Sequence, residues 1–336
     1  MSQGVLDVIT LPFRQGLLAV DEGFLIRGDF SPSLEATFGR SLVAEQTYQP
    51  AFERLRQAGI RTTAQLEGRH SLGLCVLTQH KLETFANIAR AYSHLSNGGV
   101  LVCAGQNSLG AATYEKAVAK LAPLLGSLSK AKCRIFWLAR AEEDLDAWSP
   151  WLSYATPRPI ANTPFVAVPG TFSWDRVDAG SEFLVAHLPP GIAGVVGDLG
   201  AGWGFLSWSL LTRYPAIRQL DLFEAEKLAL DMARANLAPL GDTRQIRYHW
   251  SDVRDGVGRG SYDWIVTNPP FHREGIQDVE LGATFLNVAA AALRSGGKLV
   301  FVANRHLPYE RTLKASFKTV SVLAENGTFK VLLATK

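Results

Sequence analysis

From residue 192 to the end of the chain, short apolar runs alternate with runs of helix length. Strand-like segments fall at 192–199, 218–223, 245–249, 264–267, 298–303, 319–323 and 329–334. Helix-like segments at 203–213, 225–238, 279–294 and 308–316 lie between them. Strand then helix, repeated, implies a mostly parallel sheet covered on both faces. Ligands on such sheets bind beyond the carboxyl ends of the strands. Upstream, "PWLSYATPRPIANTPFVAVP" (150–169) is too rich in proline to be helical and reads as an extended crossing between domains. A chain of 336 residues also exceeds what one core ordinarily organises, so two domains are expected, 1–154 and 155–336.

The first half echoes the second. "HLSNGGVLVCAG" (94–105) lines up with "ALRSGGKLVFVA" (292–303), each reading as a helix end, a Gly-Gly turn and a strand. Upstream, "LGLCVLT" (72–78) stands where "YDWIVTN" (262–268) stands. Only the second half carries a Gly-x-Gly-x-Gly turn. One fold used twice, with the chemistry absent from the first copy, is the expectation.

Composition narrows the function classes. With 47% hydrophobic and 19% charged residues the chain reads as soluble and globular. No apolar run reaches the roughly 18 residues of a membrane span. The first ten residues hold Asp7 and no Lys or Arg, unlike a signal peptide, so a cytoplasmic protein is expected. A net charge of +3 permits a nucleic-acid partner without requiring one. Cys75, Cys103 and Cys133 show no metal-ligand spacing and read as reduced core thiols, so no metal is expected.

"VVGDLGAGWGFLSWSLL" (195–211) reads as strand, glycine turn, helix. Gly200, Gly202 and Gly204 let backbone approach a ligand closely. Asp198 ends the strand, Glu224 ends the next one in "LDLFEAE", and Asp252 follows the third in "HWSDV". Glu224 can accept from both hydroxyls of a ribose, and Asp252 from an adenine amino group. A dinucleotide site would use Gly-x-Gly-x-x-Gly and bring a pyrophosphate to the helix start. An acid just ahead of the turn suits S-adenosylmethionine better, which lacks phosphate and carries positive charge.

The fourth strand runs into "NPPFHRE" (268–274). Neither proline has an N–H and each fixes φ, so the chain is held stiff and extended there. The Asn268 side-chain oxygen and the Pro269 carbonyl can each hold one hydrogen of a conjugated amino group. That orients a weak nucleophile for in-line displacement, where alignment is the main contribution. Phe271 can stack on a planar base, worth about 1–3 kcal/mol.

These motifs resemble class I S-adenosylmethionine-dependent methyltransferases. The likeness is closest to the bacterial ribosomal RNA small subunit methyltransferase C family and its large-subunit relative. It rests on "PGTFSWDRVDAGSEFLVAHL" (169–188), "GDLGAGWGFLS" (197–207), "NPPFH" (268–272), "SGGKLVFVANRHLPY" (295–309) and "GTFKVLLA" (327–334), with "GQNSLGAATYEKA" (105–117) in the first half. The resemblance implies two tandem Rossmann-like methyltransferase domains, the N-terminal one degenerate and serving RNA binding or support. It implies methylation of the exocyclic N2 of a guanine in 16S rRNA, on naked RNA or a ribosomal subunit. By the same likeness Phe172 and Asp178 border the cofactor, Asp198, Gly200 and Gly202 hold its methionine part, and Glu224 its ribose. Many relatives carry Asp where Glu224 stands, and Trp203 is bulky enough to alter the pocket.

For substrate contacts, His272 is placed in the base pocket. Arg273, Lys298, Arg305, His306, Arg311 and Lys314 are placed near the carboxyl edge, where they would neutralise phosphates. The competing readings are a large-subunit guanine, adenine N6 or a protein glutamine as acceptor, a non-catalytic RNA-binding protein, and an NAD-dependent dehydrogenase.

Overall fold

The computed structural model describes residues 3–336 except 142–144, 241–243, 271, 274–275 and 278. The chain divides into two compact units. One is Met1–Pro157 with Val168–Gly170, the other Arg158–Ala167 with Thr171–Lys336.

The first unit holds β1 (Gly23–Ile26), β2 (Leu42–Glu45), β3 (Arg61–Thr63), β4 (His70–Val76), β5 (Leu95–Gln106), β6 (Leu124–Lys130) and β7 (Cys133–Ala139). In the second, a two-residue ladder, β8 (Arg158–Pro159) and β9 (Val166–Ala167), precedes β10 (Gly194–Leu199), β11 (Ile217–Glu224), β12 (Gln245–Trp250) and β13 (Tyr262–Thr267). A second short ladder, β14 (His272–Arg273) with β15 (Ile276–Gln277), leads to β16 (Leu293–Asn304), β17 (Thr319–Glu325) and β18 (Phe329–Thr335).

The two seven-stranded sheets share one topology. Their orders are β3-β2-β1-β4-β5-β7-β6 and β12-β11-β10-β13-β16-β18-β17. In each, one strand is reversed: β7 and β18 run antiparallel to both of their neighbours, and the other six strands share one direction. The central strands have no solvent face, which is why they read as unbroken apolar runs. Alternate residues of the second sheet feed two cores. Ile265, Phe301 and Leu332 meet Phe285, Leu286 and Leu313 on one face. Val266, Val300 and Val331 meet Leu184, Leu210 and Leu230 on the other.

Register ties the halves together residue by residue. Gly23 faces Leu42 and Leu72 as Val196 faces Leu220 and Trp264. Leu72 then faces Val100 as Trp264 faces Lys298. The alignment of 94–105 with 292–303 agrees with this, but that of 72–78 with 262–268 is offset by two residues. Val76, not Thr78, stands where Asn268 stands. The Gly-Gly turns are also not turns before a strand. They lie inside β5 and β16 as irregularities, with Gly98 at φ 76° and Gly296 at φ 75°.

By that register Arg27 occupies the place of Gly200. It keeps the left-handed backbone, φ 57° against 73°. Its guanidinium pairs with Glu83 at 2.8 Å and donates to Thr47 at 2.6 Å. Gln46 occupies the place of Glu224. Its oxygen accepts from Tyr48 N as Glu224 accepts from Glu226 N, at 2.9 and 2.8 Å. Its nitrogen donates to the Gly28 carbonyl, whereas Glu224 accepts from Gly202 N. The first copy therefore keeps the turn and fills it with its own side chains.

All three cysteines are buried and free. Among the described residues, no helix is long and apolar enough to cross a membrane, and no group of three His, Cys, Asp or Glu could hold a metal ion.

Candidate active site

The site forms where β10 leaves the sheet. The Thr267 hydroxyl donates to the Leu199 carbonyl at 2.6 Å, and Gly200 N donates to the Phe223 carbonyl at 2.9 Å. These bonds turn the chain across the sheet edge. Gly202 then takes φ 56°, with open space where a Cβ would stand. Gly204 takes φ 95° and lies so close to Ala233 that a Cβ would meet it at 3.1 Å, which sets the helix Phe205–Arg213 against Lys227–Leu237.

Two carboxylates lie under this turn. Glu224 accepts from Gly202 N at 2.9 Å and Glu226 N at 2.8 Å, and burial pushes its pKa up. Asp198 is fully buried. One of its oxygens accepts from the Ser207 hydroxyl at 2.7 Å, and the other has no hydrogen-bond partner among the described residues. Burial first, then the neighbouring Glu224, raise its pKa to about 7 against the Ser207 hydrogen bond. An orphaned, buried carboxylate oxygen is costly unless something donates to it.

Asn268 follows β13 directly. Its amide nitrogen donates to Asp178 Oδ2 at 2.8 Å and to Ser181 Oγ at 2.9 Å. Asp178 in turn caps the helix Ala179–Ala186, accepting from Ser181 N at 2.8 Å. The residue after Asn268, Pro269, is buried.

One cleft gathers most of these groups. Phe172, Asp178, Ser181, Gly200, Gly202 and Asn268 line it, together with Ser173, Ala201, Trp203, Phe205 and Leu206. Trp203 does not block it. Its indole packs against Phe165, 5.3 Å between ring centroids, and its N–H donates to the Ser173 carbonyl at 3.2 Å. That bond holds the Phe172–Ser173 loop, with Ser173 at φ 51° and Phe172 66% exposed at the rim.

Other expected residues stand apart. Asp252 caps its own loop, accepting from Arg254 N at 2.9 Å and pairing with the Arg254 guanidinium at 2.6 Å. Arg305 is paired with Glu325 at 2.5 Å. Lys298 is not at the carboxyl edge; it enters the ladder opposite Trp264, with its ammonium 5.1 Å from that ring. Phe271 lies outside the described residues, as do the side chains of His272, Arg273 and Arg311.

The sequence reading gave no role to Ser181 or Ser207. Both were within quoted motifs, but a serine's partner is fixed by the fold and leaves no local spacing signal.

Comparison with known proteins places the chain. The family model described as Methyltransferase small domain matches residues 162–333. Ribosomal RNA small subunit methyltransferase C of Yersinia pseudotuberculosis serotype IB (strain PB1/+) is 32% identical over 325 residues, spanning 93% of this chain and 90% of the relative. The Yersinia pestis protein of the same name matches to the same extent. Among solved structures, the T. thermophilus 16S rRNA N2 methyltransferase RsmC, in complex with AdoMet and guanosine, superposes with a TM-score of 0.79 at 26% identity. The match covers 98% of this chain and 92% of that one. Sequence and overall fold agree that this chain belongs to the ribosomal RNA small subunit methyltransferase C family.

Proposed function

We propose that this protein transfers a methyl group from S-adenosylmethionine to the exocyclic N2 of a guanine in 16S rRNA. The observation that carries the reading is Asn268. Its side chain is held at the end of β13 and lines the same cleft as the glycine turn.

The residues present fit this cofactor. The cleft lining contributes carboxylate, hydroxyl, amide and apolar groups and, among the described residues, no basic side chain. Such a set suits a cation with hydroxyls and opposes a pyrophosphate, which disfavours the NAD reading. The Asp198 oxygen beneath the turn, without a partner among the described residues, marks where positive charge is best compensated. Glu224 is the acceptor for ribose hydroxyls. When bound, S-adenosylmethionine supplies an electrophilic methyl on sulfur.

The chain's own part is alignment. Asn268 Oδ1 and the Pro269 carbonyl accept the two hydrogens of the guanine amino group and so direct its lone pair. The buried Pro269 keeps this pair of acceptors from relaxing. Phe172 at the rim and Phe271 after the prolines offer faces for the base. No strong general base is needed, because the methylated nitrogen is acidic enough to lose its proton to water.

The division of labour proposed is catalysis by 155–336 and RNA binding or support by 1–154. An rRNA substrate, naked or within a ribosomal subunit, places the enzyme in the cytoplasm. The name carried by relatives that match along nearly the whole chain favours the small subunit over the large-subunit, adenine and glutamine readings.

The test is methyl transfer from radiolabelled S-adenosylmethionine to small and large subunits lacking the modification, to naked rRNA and to a release factor. Label should enter 16S rRNA at a guanine, and Asn268→Ala should lose at least 100-fold of it while still binding the cofactor. Label in the release factor, or in 16S rRNA with Asn268→Ala unchanged, would overturn the reading.

A further inference from the structure

We infer that Asp178 and Ser181 are positioning residues that fix which end of the Asn268 amide faces the cleft. The inference deepens the methyl-transfer reading and rests on it for the substrate.

An asparagine side chain is nearly symmetric in shape but opposite in function at its two ends. One end donates two hydrogens and the other only accepts. For an acceptor role, the amide must be held one way round. Asp178 does this because an ionised carboxylate has nothing to donate. Its Oδ2 lies 2.8 Å from the Asn268 nitrogen. Turned over, Asn268 would present oxygen to oxygen at that distance. Ser181 Oγ, at 2.9 Å, takes the second hydrogen. Both amide hydrogens are thus spent away from the reaction, and Oδ1 is left as an acceptor.

The carboxylate is itself held. Oδ2 also accepts from Ser181 N at 2.8 Å, so the first turn of the helix fixes it. Gly180 leaves the room this needs. A Cβ there would stand 3.1 Å from Asp178 Oδ2 and 3.6 Å from the Asn268 nitrogen.

Two consequences follow for the site. It selects for an N–H donor at this point and against a ring carbonyl, since two acceptors would face each other. Asp178 thus acts on the acceptor through Asn268, whereas the family likeness implied only that it borders the cofactor.

The test uses the full-length protein with Asp178→Ser and Ser181→Ala. Serine caps helices as well as aspartate does, so Asp178→Ser keeps the helix start. Its hydroxyl is one bond shorter and can donate as well as accept, and so removes the bias on Asn268. With subunits lacking the modification, Asp178→Ser should lower kcat at least tenfold. KM for the subunit and the Kd for S-adenosylmethionine should stay within twofold. Ser181→Ala should lower kcat less, with the same split.

A second readout needs no substrate. In protein carrying 15N-labelled asparagine, the side-chain NH2 signal lost in Asn268→Ala should exchange slowly with solvent in the wild type and quickly in Asp178→Ser. A kcat within twofold of wild type in Asp178→Ser would overturn the inference. So would cofactor affinity falling in step with kcat, or a wild-type Asn268 amide that exchanges like an exposed one. If the wild type methylates no guanine in rRNA, the functional reading fails alone, and the exchange measurement still decides the orientation.

Discussion

Asp198 makes a pH dependence of its own. Its pKa is raised from 3.8 to about 7 by burial and by Glu224. Across that window the folded protein retains a proton the unfolded chain has released. This contribution to stability is therefore greatest in acid and is lost as pH rises through about 7. A bound cation favours the ionised form and so opposes the loss. Cofactor affinity should increase several-fold from pH 5.5 to 8, measured calorimetrically, and Asp198→Asn should flatten the rise. An equal slope in that variant would assign the proton to Glu224, whose pKa is displaced the same way. The placement of Asp198, Gly200, Gly202, Glu224 and Asn268 at or just beyond strand ends was legible in the sequence because each belongs to a spaced motif. The partners that set their states, Ser207 and Ser181, were not, since the contact 198–207 bridges a strand and a helix, and 181–268 spans most of the unit.

At the scale of elements, parallel strands and long helices were readable and short capped pieces were not. Strands expected at 192–199 and 298–303 appear as Gly194–Leu199 and Leu293–Asn304, the second longer because its glycine pair sits inside the ladder. The helix Ala179–Ala186 was missed. It is eight residues long, follows a proline-rich stretch, and depends on the Asp178 cap more than on propensity. The glycine turn separates two constraints that look alike in sequence. Gly202→Ala meets no neighbour and strains only the backbone, φ 56°, for about 1 kcal/mol. Gly204→Ala adds contact with Ala233 at 3.1 Å and φ 95°, for about 2–3 kcal/mol. Chemical denaturation of the two variants should give that order.

For the whole molecule, the repeated strand order shows how much of a methyltransferase sheet survives without its chemistry. The halves could be aligned from sequence through β5 and β16, but β4 and β13 were set two residues out of step, because apolar runs carry little register information. Deleting residues 1–150 should reduce RNA affinity or the yield of folded protein, read by filter binding and by soluble expression. Full activity from the remaining half would refute the supporting role. The place of Gly200 in the first copy is taken by Arg27, clasped by Glu83 and Thr47. In effect the polypeptide carries its own negative control, the same scaffold with the lock built shut. Features common to both copies report on what the scaffold needs to stand. Those that differ, an arginine for a glycine and a glutamine for a glutamate, report on what a ligand needs to enter.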